Sequence, residues 1–171
     1  MPSFKASPLS RNDIRRYARK IRKALNIDNE LYVDVAALLE NIVREIDPDF
    51  DFEVKTFEEM GNMHGLTLLE ENKIFIREDI YDGANRGNGR DRMTIMHEFG
   101  HYLLHNELRL GLARVGDNEE VKPYRDPEWQ AKAFAGEFLI PEHLTRNLKP
   151  EQIAEYCGVS YMAAVYQKSK M

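Results

Sequence analysis

Residues 92–101 read RMTIMHEFGH, and the second half of this stretch is a His-Glu-x-x-His motif. The apolar residues around the motif recur at the three-to-four spacing of an α-helix. In a helix, residues four apart lie about 40° apart around the axis and about 6 Å apart along it. His97 and His101 can therefore offer ring nitrogens to one metal ion, while Glu98 lies beside them, within reach of a metal-bound water. This is the arrangement of zinc-dependent peptidases.

The neighbouring residues predict how this helix begins and packs. Asp91 is the predicted N-cap, following a loop over residues 82–90. Gly100 costs about 1 kcal/mol in a helix interior, but its lack of a side chain would let another helix come close to the metal. The apolar stripe beside the histidine face consists of Met93, Met96, Phe99 and Leu103.

A catalytic zinc site needs a third protein ligand and an open coordination position. The chain has one cysteine, Cys157, so a site made of several thiolates is excluded. We expect Cys157 to be a core residue rather than a nucleophile. Residues 127–141 predict a second helix, which stops before Pro141. The third ligand is therefore sought among the carboxylates in or next to this second helix.

Glu128 is the preferred third ligand because it shares one helix face with Ala131 and Ala135. Two alanines beneath a carboxylate suggest close packing against another helix. Glu137 and Glu142 are alternatives, although Glu137 lies about 180° from Glu128 around the helix axis. A first-turn glutamate that only interacts with the helix dipole would look the same, so the residues alone leave the choice open.

Two motifs carry a resemblance to a known family. Residues 97–105 read HEFGHYLLH and residues 128–141 read EWQAKAFAGEFLIP, and together they resemble the ImmA/IrrE family of metallopeptidases. Members of this family are small zincin-like proteins, often from phages, integrative elements or stress regulons. The similarity runs from about residue 60 to about residue 165 and also takes in residues 65–67 and 90–94.

The resemblance implies a zincin-like fold and a role for each matching residue. His97, His101 and Glu128 would bind Zn²⁺, and Glu98 would act as the general base. One departure from the family is Gln130, where a second acidic residue is frequent, but this position is not a proposed ligand. The implied protein substrate is a helix-turn-helix transcriptional repressor, often encoded by a neighbouring gene.

The composition is that of a globular protein, with 43% hydrophobic and 31% charged residues. A length of 171 residues predicts one domain, and the sequence shows neither an apolar run that would span a membrane nor a signal peptide. The single cysteine suits a reducing cytoplasm. Residues 1–25 carry eight basic residues and one acidic residue, which leaves a net charge of −12 on the remainder. Nucleic-acid binding by the whole surface is not expected, although the basic N-terminus can contact an acidic partner.

The predicted fold is α+β and forms a single domain over residues 1–171. A capping box of Ser10 and Asp13 starts the first helix, and residues 35–46 form the second. The three parts are an N-terminal helical part (residues 1–48), a part with the sheet and the metal-site helices (49–146), and C-terminal helices (147–171).

The predicted sheet is small and mostly antiparallel. It contains a strand over residues 50–54 and a hairpin made of residues 65–69 and 73–77. In zincin-like folds, a sheet-edge strand beside the metal helix pairs with an extended substrate, a mode known as β-augmentation. The hairpin is the candidate for this edge, and the sequence leaves open which of its strands lies outside.

The remaining polar residues of interest surround the predicted cleft. Residues 106–127 are charged and loop-like and would form a rim over it. Tyr124, Arg125 and His143 are candidates for stabilising the oxyanion of the transition state, and the sequence does not choose among them. His105 is expected to be structural, because an elongated three-histidine site would need its third histidine two residues further on.

The C-terminal residues 150–165 resemble a helix-turn-helix. A helix that reads DNA bases carries Arg, Asn or Gln near its N-terminus, where this chain has Ser160, Tyr161 and Met162. Helix packing is therefore favoured over DNA binding as the role of this segment.

These features predict a cytoplasmic zinc metalloendopeptidase that cleaves a helix-turn-helix repressor at a specific site. Two alternatives come from other functional classes. One is a DNA-binding regulator in which the zinc site is structural. The other is an antitoxin-like or anti-repressor module that binds a repressor without cutting it.

Overall fold

The computed structural model describes residues 4–105, 112–114 and 120–171. Within these ranges, a three-stranded sheet and a two-stranded sheet accompany a set of mostly short helices. The strands are β1 (Phe4–Ala6), β2 (Asp51–Lys55), β3 (Gly65–Leu68), β4 (Lys73–Arg77) and β5 (Leu112–Arg114). The α-helices are α1 (Arg11–Ala24), α2 (Val35–Ala37), α3 (Val43–Ile46), α4 (Phe57–Met60), α5 (Glu78–Asn85), α6 (Gly89–His105), α7 (Pro127–Leu139), α8 (Glu142–Thr145), α9 (Pro150–Cys157) and α10 (Tyr161–Ser169).

The three-stranded sheet has the order β2-β4-β3, so β3 lies at an edge. β3 and β4 pair antiparallel, as the predicted hairpin requires, with Leu66 opposite Phe75. β2 pairs parallel with β4, with Phe52 opposite Ile74, so the prediction of a mostly antiparallel sheet is wrong for this sheet, which is mixed. After β2 the chain passes through α4 and forms β3 one strand position away, and β4 then fills the position between β2 and β3. Alternating apolar residues identify a strand but do not encode the direction of its neighbour.

The predicted second helix, residues 35–46, is helical throughout but not uniform. The Asp34 carboxylate caps its start by accepting a hydrogen bond from the Ala37 N–H (3.1 Å). Residues Leu38–Ile42, between α2 and α3, form a π-helical turn. Such a turn holds more residues than an α-helical one, so the side chains that follow it are rotated. Ile46 consequently points outward and is 54% exposed.

The N-terminal helix begins as predicted and reaches into the interior. Ser10 Oγ accepts a hydrogen bond from the Asp13 N–H (3.1 Å), and the Asp13 carboxylate accepts one from the Ser10 N–H (3.0 Å). Near the other end of α1, the fully buried Arg22 donates a hydrogen bond to the Phe138 carbonyl at the end of α7 (2.7 Å). The basic residues of this segment are therefore partly used inside the protein.

The start of α6 differs from the prediction. Residues 82–90, predicted to be a loop, belong mostly to the end of α5 and the start of α6. Asn88, not Asp91, accepts the capping hydrogen bond, which the Asp91 N–H donates to Asn88 Oδ1 (3.1 Å). Asp91 lies in the first turn and packs over Gly83, where a Cβ would lie 1.8 Å from Asp91 Oδ2. Asn and Asp are comparable N-caps, so their residue types alone did not distinguish the two positions.

The helices α6 and α7 pack along each other and form the centre of the core. The ring centroid of Phe99 lies 6.1 Å from that of Phe134 and 6.3 Å from that of Phe138, and all three rings are buried. Gly100 faces α7, and a Cβ at this position would lie 3.1 Å from the Ala131 carbonyl oxygen. The predicted close approach of a second helix at Gly100 is therefore present.

The C-terminal helices are attached to α6. α9 ends at Gly158, whose φ of +66° is a left-handed conformation that glycine adopts readily. The buried Arg92 of α6 donates hydrogen bonds to the carbonyl oxygens of Gly158 (2.9 Å) and Cys157 (3.1 Å). Burial raises the pKa of the Cys157 thiol to about 11, which suits the predicted core role. The helix-turn-helix interpretation of this pair of helices stays a prediction.

The structure describes part of the predicted rim over residues 106–127. β5 pairs antiparallel with β1, with Ala113 opposite Lys5. Residues Pro123–Arg125 form a 3₁₀ turn directly before α7. Residues 106–111 and 115–119 lie outside the described residues.

Candidate metal centre

His97 and His101 lie one turn apart on α6, and both rings face the same carboxylate. His97 Nε2 lies 3.0 Å from Glu128 Oε2, and His101 Nε2 lies 2.9 Å from Glu128 Oε1. The carboxylate thus spans the two imidazoles with one oxygen each. The three side chains can offer ligand atoms that all lie within 4.8 Å of one another, a spacing that one metal ion can bridge.

The local sequence explains how α7 delivers Glu128. Asp126 is the N-cap of α7 and accepts a hydrogen bond from the Glu128 N–H (3.0 Å), which places Glu128 in the first turn. Pro127 occupies the first helical position, where its missing N–H costs nothing. Because Gly100 lets the two helix backbones approach at Ala131, the first turn of α7 lies over the histidine face of α6.

The donor set fits a zinc ion. Two imidazoles and one carboxylate are a common protein ligand set of catalytic zinc. Hydrogen bonds with His101 and His97 hold the pKa of Glu128 well below its usual range, so this side chain is a carboxylate at neutral pH. The Glu128 side chain is 71% exposed, which leaves the outer side of the cluster accessible to a substrate.

Glu98 lies next to the histidine pair and is held by the edge strand β3. Thr67 Oγ1 donates a hydrogen bond to Glu98 Oε2 and lies 3.0 Å from the Glu98 main-chain oxygen. Two residues earlier on the same strand face, Gly65 makes room for this side chain, since a Cβ there would lie 2.8 Å from Glu98 Cγ. Thr67 and Gly65 were not among the predicted site residues. Their two-residue spacing on a strand beside the metal helix is the signal that would have indicated them.

His105 lies behind the metal face rather than in it. It is 1% exposed, and burial lowers its pKa to about 4, so the ring is neutral at pH 7. Its Nδ1 lies 2.9 Å from His101 Nδ1, and its Nε2 lies 2.8 Å from Gln130 Oε1. The ring is therefore used in hydrogen bonds inside the protein, as the predicted structural role requires.

The alternative third ligands lie elsewhere. The Glu137 side chain is buried against α1, where Arg11 Nη1 and Arg15 Nε donate to its oxygens at 3.0 and 2.8 Å. Glu142 pairs with Arg15 (2.5 Å) and with Arg146. Among the described residues, neither glutamate belongs to the histidine cluster.

The oxyanion candidates fall into two groups. His143 Nε2 lies 2.8 Å from the main-chain oxygen of Asp28, so its ring is engaged with the N-terminal part of the chain. Tyr124 and Arg125 belong to the 3₁₀ turn that leads into α7, just before Glu128. A role of either residue in stabilising the oxyanion stays a prediction.

We expect Thr67→Val to lower kcat by roughly 10-fold, because a hydrogen bond to a charged group of this kind contributes about 1.5 kcal/mol or more. Valine keeps the shape of threonine but cannot donate to Glu98, so the carboxylate loses its fixed orientation. Zinc content should not change. Steady-state kinetics and elemental analysis of the purified variant test both statements.

The matched control is Thr145→Val, which removes a buried threonine hydroxyl that donates to the Pro141 carbonyl (2.8 Å) on α8. This variant should keep the wild-type kcat. Equal losses of kcat in the two variants, or a wild-type kcat in Thr67→Val, would refute a positioning role for Thr67.

Two histidines one turn apart on a helix, facing a glutamate of the neighbouring helix and flanked by a second glutamate, are the arrangement of the class of metal-dependent peptidases. Residues 51–169 match the family Peptidase_M78, described as the IrrE N-terminal-like domain. The match covers well over half of the chain, which therefore belongs to this family, and the resemblance seen in the motifs is confirmed. Membership suggests peptidase activity on a protein substrate.

No curated protein matches the chain in sequence. Among the helices that the structure describes, none is long and apolar enough to cross a membrane.

Proposed function

We propose that this protein is a zinc-dependent metalloendopeptidase with His97, His101 and Glu128 as zinc ligands and Glu98 as general base. The observation that carries the proposal is the convergence of the three donor side chains, at 2.9 and 3.0 Å between the histidine nitrogens and the glutamate oxygens. Membership in a peptidase family supports it independently.

The residues of the chain divide the reaction between them. When bound, zinc lowers the pKa of a coordinated water toward 7 and polarises the scissile carbonyl. The Glu98 carboxylate accepts a proton from the attacking water while the oxygen of that water bonds to the carbonyl carbon. Glu98 then donates this proton to the leaving amine as the C–N bond breaks. The hydrogen bond from Thr67 keeps the carboxylate oriented between these two steps.

The edge strand offers a binding surface for an extended peptide. β4 pairs with one side of β3, and no described strand pairs with the other side. A peptide that adds to this edge would form main-chain hydrogen bonds beside Glu98, because Thr67 on the same strand contacts that residue. The substrate would thus enter as a strand and would have to be locally unfolded at the cleavage site.

Besides the edge strand, a second surface next to the proposed metal ligands would select a side chain of the substrate. A cavity of about 320 Å³ is lined by residues of both α6 and α7, among them His97, Met93 and Lys132. A neighbouring cavity of about 390 Å³ shares Met93 and Lys132 and continues to Trp129 and Tyr166. This continuous, mainly apolar surface would accept a hydrophobic side chain of the substrate close to the scissile bond.

The substrate class follows from the family resemblance. We propose site-specific cleavage of a helix-turn-helix repressor, and the need for a locally unfolded strand suits a substrate whose cleavage is controlled by its own conformation. The alternative of a DNA-binding regulator is less well supported. At its start α10 has Ser160, Tyr161 and Met162 rather than side chains that read DNA bases. Lys168 donates hydrogen bonds to main-chain carbonyls of the protein. These observations favour the peptidase over a DNA-binding regulator.

The test mixes the zinc-loaded protein with helix-turn-helix repressors from the same genome, beginning with any that a neighbouring gene encodes. We expect a discrete cut that a zinc chelator abolishes and added Zn²⁺ restores, because the three ligands define a removable metal. Mass spectrometry of the fragments locates the cut. Binding of the repressor without any cleavage, under conditions in which zinc content is one ion per chain, would instead support the non-cleaving interaction module.

A further inference from the structure

A line of hydrogen bonds runs from the back of a proposed zinc ligand into the interior. His101 Nδ1 lies 2.9 Å from His105 Nδ1, and His105 Nε2 lies 2.8 Å from Gln130 Oε1. Gln130 Nε2 donates to the carbonyl oxygens of Ser7 and Tyr124, each at 2.8 Å. His105 and Gln130 are 1% and 0% exposed, so these contacts lie in the protein interior.

The two carbonyls fix the orientation of the Gln130 amide. A main-chain carbonyl can only accept hydrogen bonds, so the NH₂ group of the amide must face Ser7 and Tyr124. The amide oxygen is therefore the atom that faces His105 Nε2. Turning the amide over would place its oxygen against two other oxygens and leave its NH₂ group facing the ring.

This orientation determines which nitrogen of each ring carries a proton. The amide oxygen only accepts, so His105 Nε2 must carry its hydrogen. In the neutral ring, His105 Nδ1 then holds a lone pair, and the proton between the two rings belongs to His101 Nδ1. A neutral His101 with its proton on Nδ1 has its lone pair on Nε2, which lies 2.9 Å from Glu128 Oε1. Both atoms are then acceptors, so this tautomer requires a cation between them in place of the hydrogen bond with Glu128.

We propose that Gln130 is a positioning residue that acts through His105 to hold His101 in the tautomer able to bind zinc. The proposal rests on the proposed metal site and adds to it a residue without any contact to the metal. Without the Gln130 oxygen, His105 is free to carry its proton on Nδ1, which forces His101 to accept there. The proton of His101 then moves to Nε2 and blocks coordination.

The proposal also gives the N-terminal segment a part in the site. Ser7 directly follows β1 and lies outside residues 51–169, the region matched by the family. The Tyr124 carbonyl, the second anchor of Gln130, also accepts a hydrogen bond from the Leu9 N–H (2.9 Å). The orientation of a zinc ligand on α6 therefore depends on main-chain atoms at the start of the chain.

The experiment compares the zinc-loaded wild type with Gln130→Met and Gln130→Glu. Long-range ¹H–¹⁵N correlation spectra report which ring nitrogen of His105 is protonated, and competition with a chelator gives the zinc affinity. In the wild type we expect the Nε2–H form of His105. Gln130→Met should show a mixture of tautomers and bind zinc about 10- to 100-fold more weakly, the range seen when an outer hydrogen-bond partner of a metal ligand is lost. Gln130→Glu keeps an acceptor for His105 and should keep the tautomer, but its second oxygen lies against the Ser7 and Tyr124 carbonyls, so it should also lower the free energy of unfolding.

A matched control separates this role from core packing. Gln167→Met replaces another buried glutamine, which donates to Glu137 Oε2 (2.5 Å) two turns further along α7 than Gln130. It should lower the free energy of unfolding but leave the His105 tautomer and the zinc affinity unchanged. The proposal is overturned if wild-type His105 carries its proton on Nδ1, or if Gln130→Met keeps the wild-type tautomer and affinity.

The outcomes also distinguish this proposal from the proposed function. The His105 tautomer can be read in the zinc-free protein, and the zinc affinity can be measured without any substrate. A protein that binds zinc with the expected tautomer but cuts no peptide bond would refute the peptidase and leave the role of Gln130 intact.

Discussion

Glu98→Gln is expected to bind zinc as the wild type does and to hydrolyse its substrate roughly 10²- to 10⁴-fold more slowly, the range for loss of a positioned general base. Glutamine has nearly the shape of glutamate, and its amide oxygen can still accept the hydrogen bond from Thr67. An amide cannot take a proton from water at neutral pH. Values of kcat/KM for the cleaved substrate, together with zinc content by elemental analysis, test the expectation.

Glu70→Gln is the matched control for this variant. Glu70 is an exposed residue of the 3₁₀ turn at the end of β3, so its charge is lost near the site without loss of a catalytic group. This control should hydrolyse the substrate at the wild-type rate. Wild-type turnover by Glu98→Gln would show that the mechanism is wrong, and loss of zinc from that variant would assign Glu98 to metal binding instead.

His97→Ala is expected to purify without zinc and to show no chelator-sensitive activity. The imidazole supplies one of three protein ligands, and the remaining two do not hold a catalytic zinc. The loss of zinc affinity should exceed the about 10- to 100-fold decrease that follows removal of an outer hydrogen-bond partner. The metal content of the dialysed protein and a chelator competition provide the measurements.

His143→Ala serves as the comparison for His97→Ala. His143 contacts Asp28 rather than Glu128, so its removal should leave one zinc per chain. A fall in kcat with zinc retained would assign the oxyanion role to His143. If His97→Ala kept a full complement of tightly bound zinc, the three-ligand site would be refuted.

The helices that carry the site were accessible to sequence reasoning because their signals are local. Three-to-four periodicity and a terminal proline predicted α6 and α7, which end at His105 and Leu139. Gly100 and the alanines of α7 predicted a close approach of the two helix backbones, which the structure has at Ala131. They left the third ligand open, and the family resemblance selected Glu128.

The features that sequence reasoning missed depend on distant partners. The parallel pairing of β2 with β4 is decided by the path of the connection, which no strand residue encodes. Thr67 acquires its role from contact with Glu98, 31 residues later. His105 and Gln130 are 25 residues apart, and their hydrogen bond exists only once α6 and α7 have packed. A buried polar pair of this kind has no periodic signature.

The burial of Glu137 has a consequence for how the family domain is delimited. Its carboxylate is neutralised by Arg11 and Arg15, which precede the family match at residue 51. A fragment that begins at that boundary would keep the Glu137 carboxylate buried without its two arginine partners. Removing one side of a buried ion pair typically lowers the free energy of unfolding by about 3–5 kcal/mol. That is a large part of the stability of an ordinary domain. A fragment that begins at residue 51 is therefore expected to have a much lower free energy of unfolding than the whole chain, and recombination at that boundary would destabilise the protein.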